Sequence, residues 1–489
     1  MKINLSWHEL NSAQFEFNRP FTLKLNNADA LDAESVARVL PKKRMVVFGI
    51  WQGRNVVAKL FFDAHRAKQH FENEINGTHI LEQHHIPTPQ LLYQGMSEDR
   101  RIYVLIFERI ENSLPLETLF KNQKNEHDVL QLMKFMIQEI ATQHVYGILQ
   151  TDLHFKNFLI QHKKIYSLDG ATVKVHPPLL PKPLSIQYAA LFLAQLGVGH
   201  EEMQTTLFKH YAQLRGFLLK ESDFTALFHH ISAWNKKRLK NFKKKIMRSS
   251  SSFLPIHHHK TRGIVERSYL STALEHFLND PDAIFQDPSA IILKAGRSST
   301  VSKITLDQKT FVIKRYNMKN IFHKIRRLFR TSRAKKSWYF SQILQLFGVK
   351  TATPVAFIEE KRFIFPGKSY FVMCYVDGVS ANHFFSNHCD DDQKISLAVS
   401  EVKTLFHKLF RLKITQGDLK ISNILIDAHE TPVLIDLDGA KEHRFSRSLK
   451  RRFQKEFKRF LKNFDTRPEL QEIFKKDYPH AWTSPPYTD

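Results

Sequence analysis

Cysteine is nearly absent from this chain: two copies in 489 residues, Cys374 and Cys389. They cannot supply a disulfide framework, so a reducing compartment is expected. Long apolar runs are missing too. The longest nearly apolar stretch, 188–199 (YAALFLAQLGVG), falls short of the ~20 residues that cross a bilayer and reads as a buried helix. The start, MKINLSWHEL, lacks the charged opening and apolar run of a secretory signal. A cytosolic, soluble chain is the expectation. Acid is the third scarcity, with 48 Asp+Glu against 73 Lys+Arg and a formal net charge of +25. That surplus implies an anionic partner: nucleic acid, a membrane surface, or a phosphorylated or carboxylated substrate. What is abundant excludes disorder, since hydrophobic residues make up 42% and phenylalanine alone has 40 copies. The length suits two domains, possibly three, each able to bury a core.

An internal repeat organises the rest. Residues 148–160 read ILQTDLHFKNFLI and residues 414–426 read ITQGDLKISNILI. Each places Gln two residues before an Asp and Asn five residues after it. Asp152 and Asp418 are 266 positions apart, as are Asn157 and Asn423. Downstream stand SLDGA (167–171) and DLDGA (436–440); upstream, β-branched runs end at Lys59 and Lys314. Recurring order and spacing indicate a duplicated unit.

Coarse periodicity fits that reading. Residues 46–62 predict two strands joined at Gln52-Gly53-Arg54, and 300–316 a second hairpin turning near Asp307-Gln308. Runs at 102–108 and 369–378 predict strands that link two lobes. The segments before Gln150 and Gln416 carry apolar residues at helical spacing. The expected organisation is a first domain over 1–234, a basic Ser/His-containing linker over 235–268, and a second domain over 269–489.

A strand Lys, a helix, a D-x-x-x-x-N loop and a later Asp are the parts list for phosphoryl transfer on a kinase-like fold. That reaction needs a cation on the nucleotide phosphates, oxygen ligands for Mg²⁺, and a carboxylate that positions the attacking hydroxyl. Asp418 and Asp152 suit the last role, because a carboxylate accepts the hydroxyl proton as attack proceeds. Asn423 and Asn157 offer a neutral oxygen to the metal. Each piece alone is a weak signal; their joint order, found twice, is not.

On these motifs the sequence resembles the lipopolysaccharide core kinases of the WaaP/InaA type, similar in fold to eukaryotic-like protein kinases. In the first half the resemblance rests on RMVVFGIWQGRNVVAKLF, IPTPQLL, LQTDLHFKNFLI and YSLDGA. In the second it rests on LKAGRSSTVSKI, FVIKRYNMK, QGDLKISNILI and LIDLDGAKEHR, a longer and more specific set. The resemblance implies an α+β chain of two tandem protein-kinase-like, bilobal domains, each a small antiparallel-sheet lobe plus a mainly helical lobe. It implies an ATP- and Mg²⁺-dependent kinase of heptose or Kdo hydroxyls in the inner core. Asp418 would be the base, Asn423 and Asp436 or Asp438 the metal ligands, and Lys314 the phosphate-holding lysine. Asp152, Asn157, Asp169 and Lys59 would be their first-half counterparts.

Three departures qualify the pattern. Neither half has a G-x-G-x-x-G loop; the equivalent turns are 41–44 and 295–300, so side-chain cations and the hydroxyls of Ser298, Ser299 and Thr300 would help hold phosphates. In the first half Glu74, with Glu72 a rival, fits as the helix partner of Lys59. In the second, residues 308–358 contain no acid, and Ser337 falls at that place, so any acidic partner of Lys314 comes from elsewhere. Finally, matching LIDLDG with IYSLDG sets Ser167 opposite Asp436. Either Asp169 then serves from a hairpin three residues shorter, or the first half binds metal poorly.

The charge is localised. Residues 308–358 hold twelve Lys/Arg, including a basic amphipathic stretch at 320–330 that suits an anionic membrane or simply packs on the small lobe. Near the end, Leu449, Phe453, Phe457, Phe460 and Phe464 form an apolar stripe amid seven cations. Both faces suit a lipopolysaccharide core or lipid A–core precursor at the cytosolic face of the inner membrane. Nucleic acid is not expected, because no zinc-finger spacing or RNA-recognition signature is present. The alternatives are a kinase of another hydroxyl substrate and a catalytically silent membrane-associated scaffold.

Overall fold

The computed structural model describes every residue except 1, 2, 14, 16, 18, 124, 259, 260, 318–329, 363, 364, 388–390 and 477–489. The basic stretch at 320–330, His259 and Cys389 therefore lie wholly or almost wholly outside the described residues. The chain divides into two compact units: 1–195 with 201–234, and 196–200 with 235–489.

The first unit holds a seven-stranded sheet. Its order is Ile3–Asn4, Phe21–Lys24, Ala30–Leu40, Arg44–Trp51, Arg54–Phe61, Tyr103–Glu108 and Leu91–Met96. The pair Arg44–Trp51/Arg54–Phe61 turns at Gln52 (φ 48°) and Gly53 (φ 73°). Two consecutive left-handed residues match the twist of a two-residue hairpin. One sheet face buries Leu23, Leu31, Met45, Val47, Val56 and Leu60. The other packs Phe61, Leu105 and Phe107 against the helix Ala67–Gln83. Beyond the sheet, the unit is mainly helical, with Glu126–Val145, Lys182–Leu193 and Glu201–Leu214. Residues 188–193 of the apolar run lie in the second of these, and Ala189, Ala190, Phe192 and Leu193 are fully buried.

The second unit repeats the central sheet order. Ile291–Ala295, Ser299–Leu306, Lys309–Tyr316, Phe365–Cys374 and Pro354–Arg362 lie side by side, all antiparallel. Its hairpin turns at Asp307 (φ 46°) and Gln308 (φ 62°). The helical part is built on Asp392–Arg411 and Ser446–Leu461, which share one core through Phe406, Phe410, Phe453, Phe457 and Phe460.

Among the described residues, most of the segment read as a linker is helix and strand. Residues 235–245 complete the helix Glu221–Lys245, whose last turn carries Lys243, Lys244 and Lys245, favourable at the negative end of a helix dipole. Strands Phe253–His257 and Thr261–Glu266 then extend the second sheet beside Pro354–Arg362. The reason lies in three apolar residues within the charge run: Phe242, Ile246 and Phe253 pack with Trp338 and Phe357.

Candidate active site

In the first unit the strand Arg54–Phe61 presents Lys59, and the helix Ala67–Gln83 presents Glu74. Lys59 Nζ lies 2.5 Å from Glu74 Oε1 and donates to the Leu168 carbonyl at 2.8 Å. Glu72 pairs instead with Lys68 on the helix exterior. Glu74 also accepts from the Gly170 N–H at 3.0 Å, which ties the helix to the Asp169 turn. That turn sits so close that a Cβ on Gly77 would stand 1.8 Å from the Gly170 carbonyl oxygen. Burial pushes the Glu74 carboxyl up from its ordinary value, with the Lys59 charge pulling the other way.

The loop that follows the strand Ile148–Gln150 carries Asp152 and Asn157. Asn157 Nδ2 donates to the Asp152 carbonyl at 3.0 Å, closing the five-residue loop and leaving its own Oδ1 for another partner. Burial and the neighbouring Asp169 charge raise the Asp152 pKa. Lys59, Asn157 and Asp169 line a cavity of about 260 Å³ together with Arg38, Arg44, Thr78, Phe107 and Lys156. Arg38 and Arg44 flank the turn that replaces a glycine loop. Arg44 belongs to the turn read in the sequence at 41–44; Arg38 went unread, and only its place in a strand–turn–strand pattern marks it.

In the second unit Lys314 has a different partner. Its Nζ lies 2.7 Å from Asp436 Oδ1 and 3.5 Å from Asp438 Oδ2. Arg333 donates to the same Asp438 oxygen from Nε at 3.1 Å and from Nη2 at 2.7 Å. Ser337 stands where a helix Glu would, hydrogen-bonded to Tyr316 across 2.9 Å. Burial alone would raise the Asp436 carboxyl, but the Lys314 pair and Arg333 outweigh it and hold it below the ordinary carboxylate value. Asp436 adopts a left-handed backbone (φ 59°, ψ 64°), a strained choice for a non-glycine residue and one concentrated at functional sites. The cavity beside these residues encloses about 20 Å³, room for about one water molecule.

The second catalytic-type loop is held from below. Buried Glu456, on the helix Ser446–Leu461, accepts from the N–H groups of Gln416 (3.1 Å) and Gly417 (3.0 Å). Gly417 (φ +95°) must be glycine for a second reason, since a Cβ would stand 2.3 Å from the Gly439 carbonyl oxygen. Asn423 Nδ2 donates to the Asp418 carbonyl at 2.8 Å, as Asn157 does in the first unit. Asp418 forms ion pairs with Lys420 (2.8 Å) and Arg459 (2.6 Å). Glu456 and Arg333 were also missed by sequence reasoning. A carboxylate at an apolar-stripe position, between Phe453 and Phe457, was the available signal for Glu456.

The register corrects one alignment. Leu168 donates to the Asn157 carbonyl at 3.0 Å and Ile435 to the Asn423 carbonyl at 2.9 Å. Asp169 and Asp436, the next residues, therefore occupy equivalent places, twelve and thirteen positions after their asparagines. The first hairpin is one residue shorter, not three, and Ser167 matches Leu434, the partners of Phe158 and Ile424. The proposed phosphate hydroxyls do not converge. Ser298 is exposed, Ser299 is buried at a strand end, and the Thr300 hydroxyl accepts from Asn317 at 3.3 Å.

Residues 282–480 match the model of the Lipopolysaccharide kinase (Kdo/WaaP) family. The resemblance read in the second half is thereby borne out over that span, and with it a kinase, hence phosphotransferase, activity class directed at lipopolysaccharide. No curated protein matches the chain. Among the described residues, no helix is long and apolar enough to cross a membrane.

A kinase of this family implies ATP, generally with Mg²⁺, and the residues present can be tested for fit. In the first unit they fit. Asp169 Oδ1 is buried with no hydrogen-bond partner, and Asn157 Oδ1 is not spent on holding its loop. Among the described residues no three His, Cys, Asp or Glu cluster as a metal cage. Mg²⁺ bound beside nucleotide phosphates takes one or two carboxylates with phosphates and water. In the second unit, Asp436 and Asp438 are the matching carboxylates, each already paired with Lys314 or Arg333.

Proposed function

We propose that this chain phosphorylates a sugar hydroxyl, heptose or Kdo, of the lipopolysaccharide inner core, with ATP as donor and Mg²⁺ as cofactor. The chain would be a tandem pair of bilobal kinase-like domains working at the cytosolic face of the inner membrane. The observation that carries the reading is that the segment matching the Kdo/WaaP family also brings Lys314, Asp436 and the Asp418–Asn423 loop together.

Asp418 would take the acceptor's proton. Its ion pairs with Lys420 and Arg459 would orient the carboxylate toward the acceptor hydroxyl, as a general base requires. Lys314 would hold donor phosphates once it leaves Asp436, and Asn423 with Asp436 would face the metal. Asp152, Asn157, Asp169, Lys59 and Glu74 would have the same duties in the first unit. Mg²⁺, when bound, neutralises charge on the transferring phosphoryl group; orientation of the hydroxyl and removal of its proton fall to the protein.

The test is mass spectrometry of lipopolysaccharide from a strain lacking the chain. The core is expected to carry one phosphate fewer, restored by the intact gene. An unchanged phosphate count would contradict core phosphorylation.

A further inference from the structure

The helix Ser446–Leu461 has two faces with different fates. Leu449, Phe453, Glu456, Phe457 and Phe460 are buried, so its apolar stripe is spent on the core. The outer face borders two open grooves of about 640 and 660 Å³. Arg451 and Lys455 line both. No carboxylate lines either one. Among the described residues Arg447, Arg451, Lys455, Lys458 and Lys462 have no ion-pair partner, whereas Arg452 is committed to Glu456 and Arg459 to Asp418.

The five free cations fall at helical spacing along one face, and the run from 447 to 462 covers about 22 Å at 1.5 Å per residue. Like charges at such spacing repel one another and weaken the helix. A bound polyanion relieves that repulsion. The helix that carries the array adjoins the catalytic-type loop along its length, through the Arg459–Asp418 ion pair (2.6 Å) and the Arg452 contact with the Gly417 carbonyl (3.2 Å).

We infer that this groove docks an acidic oligosaccharide by phosphate or carboxylate groups on sugars neighbouring the one delivered to Asp418. The inference rests on the phosphotransfer reading above for the identity of that neighbouring hydroxyl. Arginine's planar fork suits both anion types, and an array about 22 Å long can engage several sugar units at once. A membrane surface fits less well, because an interfacial helix inserts its apolar face and here that face is buried. Single-stranded nucleic acid fits less well too, since no Phe, Tyr or Trp ring lines the grooves as a platform for base stacking.

The test uses the full chain, the triple variant Arg451→Gln/Lys455→Gln/Lys458→Gln, and lipid-free core oligosaccharide from deacylated lipopolysaccharide. Calorimetric affinity and KM for the oligosaccharide should each worsen about tenfold in the variant, with KM for ATP unchanged and the melting temperature unchanged or raised. The charge-keeping variant Arg451→Lys/Lys455→Arg/Lys458→Arg should retain binding. Unchanged oligosaccharide affinity in the Gln variant overturns the inference, as does no detectable binding to the unsubstituted chain. Loss of binding only to vesicles containing anionic phospholipid overturns it in favour of a membrane site. Charge-dependent binding without any transfer would sink the kinase reading and leave the groove standing. Transfer with an unaltered KM in the Gln variant would do the reverse.

Discussion

Lys59 and Lys314 occupy the same strand in the same five-strand order, yet their surroundings differ. Lys59 is held by a helix carboxylate, Glu74, which leaves Asp169 Oδ1 unbonded beside a cavity of about 260 Å³. Lys314 has no such helix partner and is held by Asp436, while Arg333 takes Asp438, and only about 20 Å³ remains beside them. The helix Glu thus keeps the lysine off the metal carboxylate. Where a serine replaces it, the lysine closes onto the carboxylate it would later share with a cation. The second unit has its own advantage, a loop braced by Glu456 with Lys420 beside Asp418. At Lys420's place the first unit has His154.

The sharpest way to break this comparison is to remove each lysine. Lys59→Ala leaves Glu74 as an unpaired buried charge, which should cost about 3–5 kcal/mol. Lys314→Ala should cost only about 1 kcal/mol, because the Asp436 side chain is 38% exposed. Denaturant unfolding of the full chain measures both, and equal losses would refute the difference drawn between the two lysines.

A smaller effect concerns pH. Asp152 must be ionised to accept a proton, and its pKa is raised by burial and Asp169. Rate carried by the first unit, isolated in an Asp418→Ala background, should therefore fall as pH drops through a value above the ordinary ~3.9. An acid limb at or below that value would contradict the crowding of Asp152 by Asp169.

Much of this site was legible in the sequence because its parts are local. The Gln52-Gly53 and Asp307-Gln308 turns, the D-x4-N loops and Glu74 each depend on short spacings. What was not legible depends on contacts distant in sequence or on register. Arg333 and Asp438 meet across 105 positions, and no local pattern announces such a pair. The place of Asp169 turned on a single residue in a hairpin, which sequence matching absorbed in the wrong spot. The 235–268 segment misled for another reason: its charge run hid Phe242, Ile246 and Phe253, which pack with Trp338 and Phe357.

The most direct measurement is transfer of labelled phosphate from Mg·ATP to purified core oligosaccharide, by the intact chain and by Asp418→Ala. Label on the oligosaccharide, reduced in the variant to the share that the first unit carries, is the predicted result. Full transfer by Asp418→Ala, or label on protein and none on sugar, would contradict the account.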